Sequence, residues 1–174
     1  ITIVSRGAMG GYTRYLPEED RTLWTRHQFT DMLAYSLGGQ VAESIVFGDV
    51  STGASNDIEK ATDVARRMVT LYGMSDKLGP VTLGRREEMM FLGREMSNSR
   101  DYGSKVADEI DEEIRTLLGV AYRTANNVLT EYRTKLDEIA QLLIEHESVE
   151  GDKLDNLLGI PDYGPGQSET KEDA

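Results

Sequence analysis

The sequence predicts a mainly α-helical fold with one or two small β hairpins. Apolar residues recur three and four positions apart over three long stretches, near residues 26–47, 56–72 and 104–146, the period of helices that each bury one face. Strand character is confined to ITIV at the start and to PVTL and MMFLGR after residue 79. With 39% hydrophobic and 29% charged residues over 174 positions, the chain has the balance of a soluble globular protein and is long enough for one domain with a real core. That domain is expected over residues 1–159, followed by a tail.

In chain order, ITIV, the glycine-rich SRGAMGG and YTRYL before Pro17 predict a hairpin with a long turn, closed by the acidic LPEEDR. Thr25 and Gln28 have the spacing of a capping box, and Phe29, Met32, Leu33, Val41, Ile45 and Val46 follow at helical intervals. A helix is predicted from about residue 26 to 47, with Gly48 as its stop. Gly38 and Gly39 interrupt it at about 1 kcal/mol each relative to alanine, which predicts the close approach of another backbone. Asn56 and Glu59 offer a second capping box. Ala61, Val64, Ala65 and Met68 form the apolar stripe of that helix, and Gly73 ends it after Tyr72.

Between residues 79 and 94, PVTL and MMFLGR read as two short strands around the charged turn RREE. The periodic run over 104–146 is too long for one ordinary helix, so two are expected, parting near residues 133–136. Residues 152–158 make a short closing helix stopped by Gly159. The segment 160–174, rich in Pro, Gly and charge without periodicity, is expected to be a disordered acidic tail.

Composition excludes several classes of function. A net charge of -12 argues against unaided binding to nucleic acid or anionic membrane, because phosphate contacts need clustered Lys and Arg. Proteins or metal ions are the expected partners. The absence of cysteine removes disulfides, thiolate zinc sites and cysteine nucleophiles. No run of about 18 apolar residues occurs, so no membrane segment is expected in this chain. His27 and His146 have no histidine four residues away, so the HExxH zinc signature is missing, and each reads as structural or incidental. GAMGG lacks the Lys and Ser or Thr of a phosphate-binding loop.

Two acids stand out. Asp57 precedes Ala61 by four residues, Val64 by seven and Met68 by eleven, which places it on their helix face, pointing inward. One reading is that it complements the helix dipole, a contribution of about 0.3–1 kcal/mol. The other is that an inward carboxylate needs a partner to offset its desolvation, and a metal ion is one such partner. Glu43 lies between Val41 and Ile45, and is either solvated on a helix flank or buried, holding a neighbouring imidazole. By themselves these features also suit a non-catalytic, acidic helical module that binds proteins.

The motifs narrow the choice. STGASNDI at 51–58, LYGMSDKLGP at 71–80 and FLGR at 91–94, with TIVSRG, YLPEED and LGGQVAESIVFG upstream, closely resemble the peptidase domain of the FtsH family of membrane-anchored AAA+ zinc metalloproteases. The resemblance covers about residues 1–158 and implies a helical peptidase domain of an ATP-dependent zinc endopeptidase. It implies that Asp57 is the third protein ligand of a Zn2+ ion, the other two being histidines of an HExGH helix whose Glu serves as general base on the bound water. That helix is expected upstream of Ile1, so no catalytic residue is expected within this chain, which alone is expected to be inactive. The resemblance also implies an ATPase module using ATP and Mg2+, a homo-hexameric ring, and an N-terminal transmembrane anchor placing the protein at the cytoplasmic or equivalent face of a membrane. Unfolded, damaged and membrane proteins are the implied substrates, degraded for quality control. Gly11, Tyr12, Thr13, Arg14 and Tyr15 are the expected edge strand against which an extended substrate would pair.

Overall fold

The computed structural model describes residues 1–5, 13, 23–83 and 102–159. Among these the architecture is mainly α: helices α1 (Arg26–Phe47), α2 (Ser55–Thr70), α3 (Ser104–Glu131), α4 (Arg133–His146) and α5 (Gly151–Leu158), with a 3-10 turn at Thr52–Ala54. The chain falls into two compact units, Leu23–Glu131 and Ile1–Thr22 together with Tyr132–Ala174.

In the first unit α1 opens with the expected capping box. The Thr25 hydroxyl accepts from Gln28 N–H at 3.3 Å, and Gln28 Oε1 accepts from Thr25 N–H at 2.9 Å. Gly48 closes the helix in the left-handed region at φ 69°, its N–H donating to the Ser44 carbonyl. Leu33, Leu37 and Val41 turn inward, and α1 packs most extensively on α3 and then on α2. The core is built from Leu33, Leu37, Ala61, Ala65, Met68, Val69, Ile110, Ile114 and Ala121, all buried. Fully burying a residue such as Leu33 or Met68 contributes roughly 1.5–3 kcal/mol, so this three-helix contact dominates the unit's stability. Phe29 stacks with both Trp24 and Tyr72, at centroid distances of 5.5 and 5.4 Å.

The close backbone approach expected at Gly38 and Gly39 is not found among the described residues. A Cβ built on either has no neighbour within 4 Å. At 100° per residue, Gly39 lies nearly opposite the buried Leu37 face, away from α2 and α3. Gly73 does need to be glycine: its φ is 61°, and a Cβ would lie 3.0 Å from the Cα of Pro80. Helix α2 ends at Thr70, two residues before the expected stop, and residues 73–83 then fold back over its end. Met74 N–H donates to the Met68 carbonyl and Leu83 N–H to the Thr70 carbonyl, at 2.9 and 2.7 Å. The first of the two strands expected over 79–94 is therefore spent, in its described part, on the end of a helix; residues 84–94 lie outside the described residues.

The turn that follows α2 ties the unit together through polar contacts. Ser75 Oγ donates to Glu113 on α3 at 2.6 Å and accepts from Leu78 N–H. Lys77 pairs with Glu112, also on α3, and Asp76 accepts two bonds from the Arg26 guanidinium at the start of α1, at 2.7 and 2.8 Å.

In the second unit, the long periodic run breaks at Tyr132, just ahead of the expected window, where ψ reaches 27°. Glu147 ends α4 in the left-handed region at φ 60°. The ITIV segment finds its partner here: Thr2 bridges antiparallel to Ser148, with Ile3 N–H donating to the Glu147 carbonyl and Val149 N–H to that of Ile1. What remains of the expected first hairpin lies outside the described residues, apart from the exposed Thr13. Helix α5 follows the expected span and stops at Gly159, φ 70°. No described helix is long and apolar enough to cross a membrane.

Candidate functional site

The candidate site is the start of α2 and the segment leading into it. The expected Asn56 cap is not formed; α2 begins at Ser55, with Asn56 inside its first turn. The cap is displaced to Ser51, whose hydroxyl accepts from Gly53 N–H at 3.0 Å and starts the 3-10 turn that runs into α2. Ser and Asn are equally good caps, and the spacing ahead of the apolar stripe pointed only to Asn56.

Glu43 holds that cap in place. Its carboxylate accepts from Ser51 N–H at 2.7 Å and from Ser51 Oγ–H at 2.8 Å, so the last turns of α1 grip the entry to α2. These two bonds, the backbone one first, hold the Glu43 carboxyl below the usual carboxylate range. The partner of Glu43 among the described residues is thus a serine rather than an imidazole. Gly53 sits tightly over this clamp, and a Cβ there would lie 3.2 Å from Ser51 Oγ and 3.3 Å from Glu43 Oε1.

Asp57 lies one turn further on. The inward orientation expected for it is not observed: its side chain is 52% exposed, with Lys60 Nζ at 3.6 Å. The buried stripe runs through Ala54, Ala61, Ala65 and Met68, with Ile58 half-buried, and Asp57 falls on its flank beside Val64. Spacing fixes the direction of a side chain around the helix, but not whether a neighbour stands at that level. The sequence-predicted pair is thereby brought into one assembly: Glu43 fixes Ser51, Ser51 starts the turn, and the turn sets the helix that presents Asp57. His27 is elsewhere, exposed and paired with Asp31 at 3.2 Å. His146 is exposed in the last turn of α4. Of the expected substrate strand, Gly11, Tyr12, Arg14 and Tyr15 lie outside the described residues.

The profile of peptidase family M41 matches residues 1–157, nearly the whole chain. This chain belongs to peptidase family M41.

Curated M41 relatives agree. The chain is 55% identical over 161 residues to ATP-dependent zinc metalloprotease FtsH 1 of Sphaerobacter thermophilus, covering 92% of this chain and 25% of that protein. Its identity to FtsH 1 of Thermomicrobium roseum is 53%, over the same shares, and to FtsH of Chloroflexus aggregans 51%, over 91% of this chain and 24% of that protein. The chain thus spans about a quarter of the length of these relatives.

Whether the M41 chain can hold zinc follows from its donor set. Among the described residues no group of three or more His, Cys, Asp or Glu side chains is arranged to hold a metal ion. A zinc site needs three or four ligands, and a single half-exposed carboxylate is not one. Asp57 fits as one ligand of a shared site, being anchored through its helix, open to its surroundings and free of a tight ion pair. The residue that spacing missed is Ser51; its signal was a capping residue two positions before a glycine, upstream of the helix it serves.

Proposed function

We propose that this chain is the greater part of the peptidase domain of an ATP-dependent zinc endopeptidase, and that Asp57 is its contribution to the metal site. The observation that carries the reading is the M41 match over residues 1–157 together with a carboxylate held open at an anchored helix start. Zinc bound there would supply Lewis acidity and a water of lowered pKa. The chain's own residues do the positioning. Glu43 and Ser51 set the first turn of α2, α2 is locked by Ala61, Ala65 and Met68, and Asp57 is thereby aimed without reliance on its own contacts. Two histidines and a general-base glutamate come from outside residues 1–174 in this reading.

The complete protein, on the same proposal, is a homo-hexamer driven by ATP and Mg2+ and anchored in a membrane. It works on the cytoplasmic or equivalent face, degrading unfolded, damaged and membrane proteins for quality control. The names of the curated relatives support the ATP and zinc dependence.

The test is Asp57→Asn in the full-length protein. Zinc content by atomic absorption should fall well below that of the wild type and casein hydrolysis should be lost, while far-UV circular dichroism stays the same. Wild-type zinc content with wild-type activity would sink the assignment and leave Asp57 as a residue that complements the helix dipole.

A further inference from the structure

The helix that presents Asp57 also carries the cation beside it. Lys60 stands between two acids on α2, Asp57 three residues before it and Asp63 three residues after, both within reach of its side chain. Its ammonium lies by Asp57, with Nζ 3.6 Å from Oδ1, and among the described residues it pairs with no other acid. Helical side chains lean toward the N-terminus, which favours the earlier of the two.

A tighter pair in the same unit shows what this arrangement leaves undone. Arg26 grips Asp76 with two hydrogen bonds, at 2.7 and 2.8 Å, and occupies both of its oxygens. Lys60 stands too far from Asp57 for a hydrogen bond, so it lends the carboxylate a neighbouring positive charge and leaves the lone pairs of its oxygens open. A zinc ion needs one of those lone pairs, and a lysine ammonium has none to offer it. The pair also opens at little cost. Lys60 is 64% and Asp57 52% exposed, and the ammonium rides on a long, flexible stem with no second acid to hold it among the described residues. A dication arriving at Asp57 would meet the ammonium at close range; like charges repel, and the lysine is the one free to move.

We propose that Lys60 is the counter-ion of Asp57 in the metal-free protein: it neutralises the carboxylate until Zn2+ arrives, swings out to solvent when the ion binds, and thereby sets zinc affinity below what the ligands alone would give. This rests on the reading of Asp57 as a zinc ligand, and adds to that site a residue that tunes the ion without touching it.

The test measures zinc affinity rather than proteolysis, by competition with a chromophoric chelator, in full-length protein carrying Lys60→Gln, Lys60→Arg or Asp57→Asn. Lys60→Gln removes the charge and keeps a good helix former at an exposed position, and far-UV circular dichroism checks that the fold is unchanged. Its zinc Kd should be about two- to fivefold tighter than that of the wild type at low salt, the range set by exposed ion pairs, and the gap should close as added salt screens the charge. Lys60→Arg keeps the charge and should bind zinc no more tightly than the wild type. An unchanged Kd in Lys60→Gln would overturn the proposal. So would a weaker one, which would make Lys60 a residue that holds Asp57 in place for the metal. A tightening that persists at high salt would overturn it as well, because a charge effect is screened. Asp57→Asn separates this inference from the peptidase reading. Zinc lost there, with no response to Lys60→Gln, refutes the counter-ion alone; wild-type zinc affinity in Asp57→Asn refutes both.

Discussion

Ser51 offers its hydroxyl in two directions, accepting from Gly53 N–H and donating to Glu43. Replacing it by alanine removes a cap and one of the two bonds to that carboxylate, leaving the backbone N–H bond in place. Ser51→Ala should therefore lower stability by about 1 kcal/mol, read by urea denaturation, and shift the Glu43 titration upward in carboxyl-detected NMR. The sign of the pH dependence follows from the same bonds. Folding depresses the Glu43 pKa, so its contribution is fully present above the ordinary carboxylate pKa and is lost as pH falls through the depressed value. At neutral pH the clamp is intact. Glu43 and Asp57 were both visible in the sequence as acids in unusual company. The serine joining them was not, because a contact between residues eight positions apart across a helix end leaves no periodic trace.

At the scale of elements, helical period and punctuation were highly legible. The capping box at Thr25 and Gln28 and the stops at Gly48 and Gly159 formed where spacing put them. The break in the long run came at Tyr132, a residue without a Gly or Pro to advertise it. The strands were less legible, since ITIV and PVTL have strand composition but meet a single bridge and a helix end respectively. Glycines show the same limit in miniature, because their meaning depends on neighbours far along the chain. Gly73 and Gly39 should respond oppositely to alanine in residues 1–174. Gly73→Ala forces a side chain into a left-handed conformation against Pro80 and should cost more than about 1 kcal/mol, seen as a lower Tm in calorimetry.

Over the whole molecule, the polar contacts that tie the turn after α2 to its neighbours span long stretches of sequence. Arg26 meets Asp76, and Ser75 and Lys77 meet Glu113 and Glu112, pairs 50, 38 and 35 positions apart. None could be inferred from local pattern, because spacing along the chain does not say which polar side chains meet across it. Of the candidate site, Glu43 and Asp57 stood out in the sequence, while their burial and the cap between them had to be seen. Leu83 and Tyr102 both pack on the same cluster of buried residues, and Leu83 N–H is also bonded to the end of α2. Leu83 and Tyr102 are thus anchored independently of the peptide that joins them. A protease site inserted within 84–101 and cleaved should leave two pieces that elute together by gel filtration under native conditions; separation would show that the covalent link is needed. Topologically, this core behaves as an interface between two fragments that happen to share one chain, and it offers a place where the protein can be divided and reassembled.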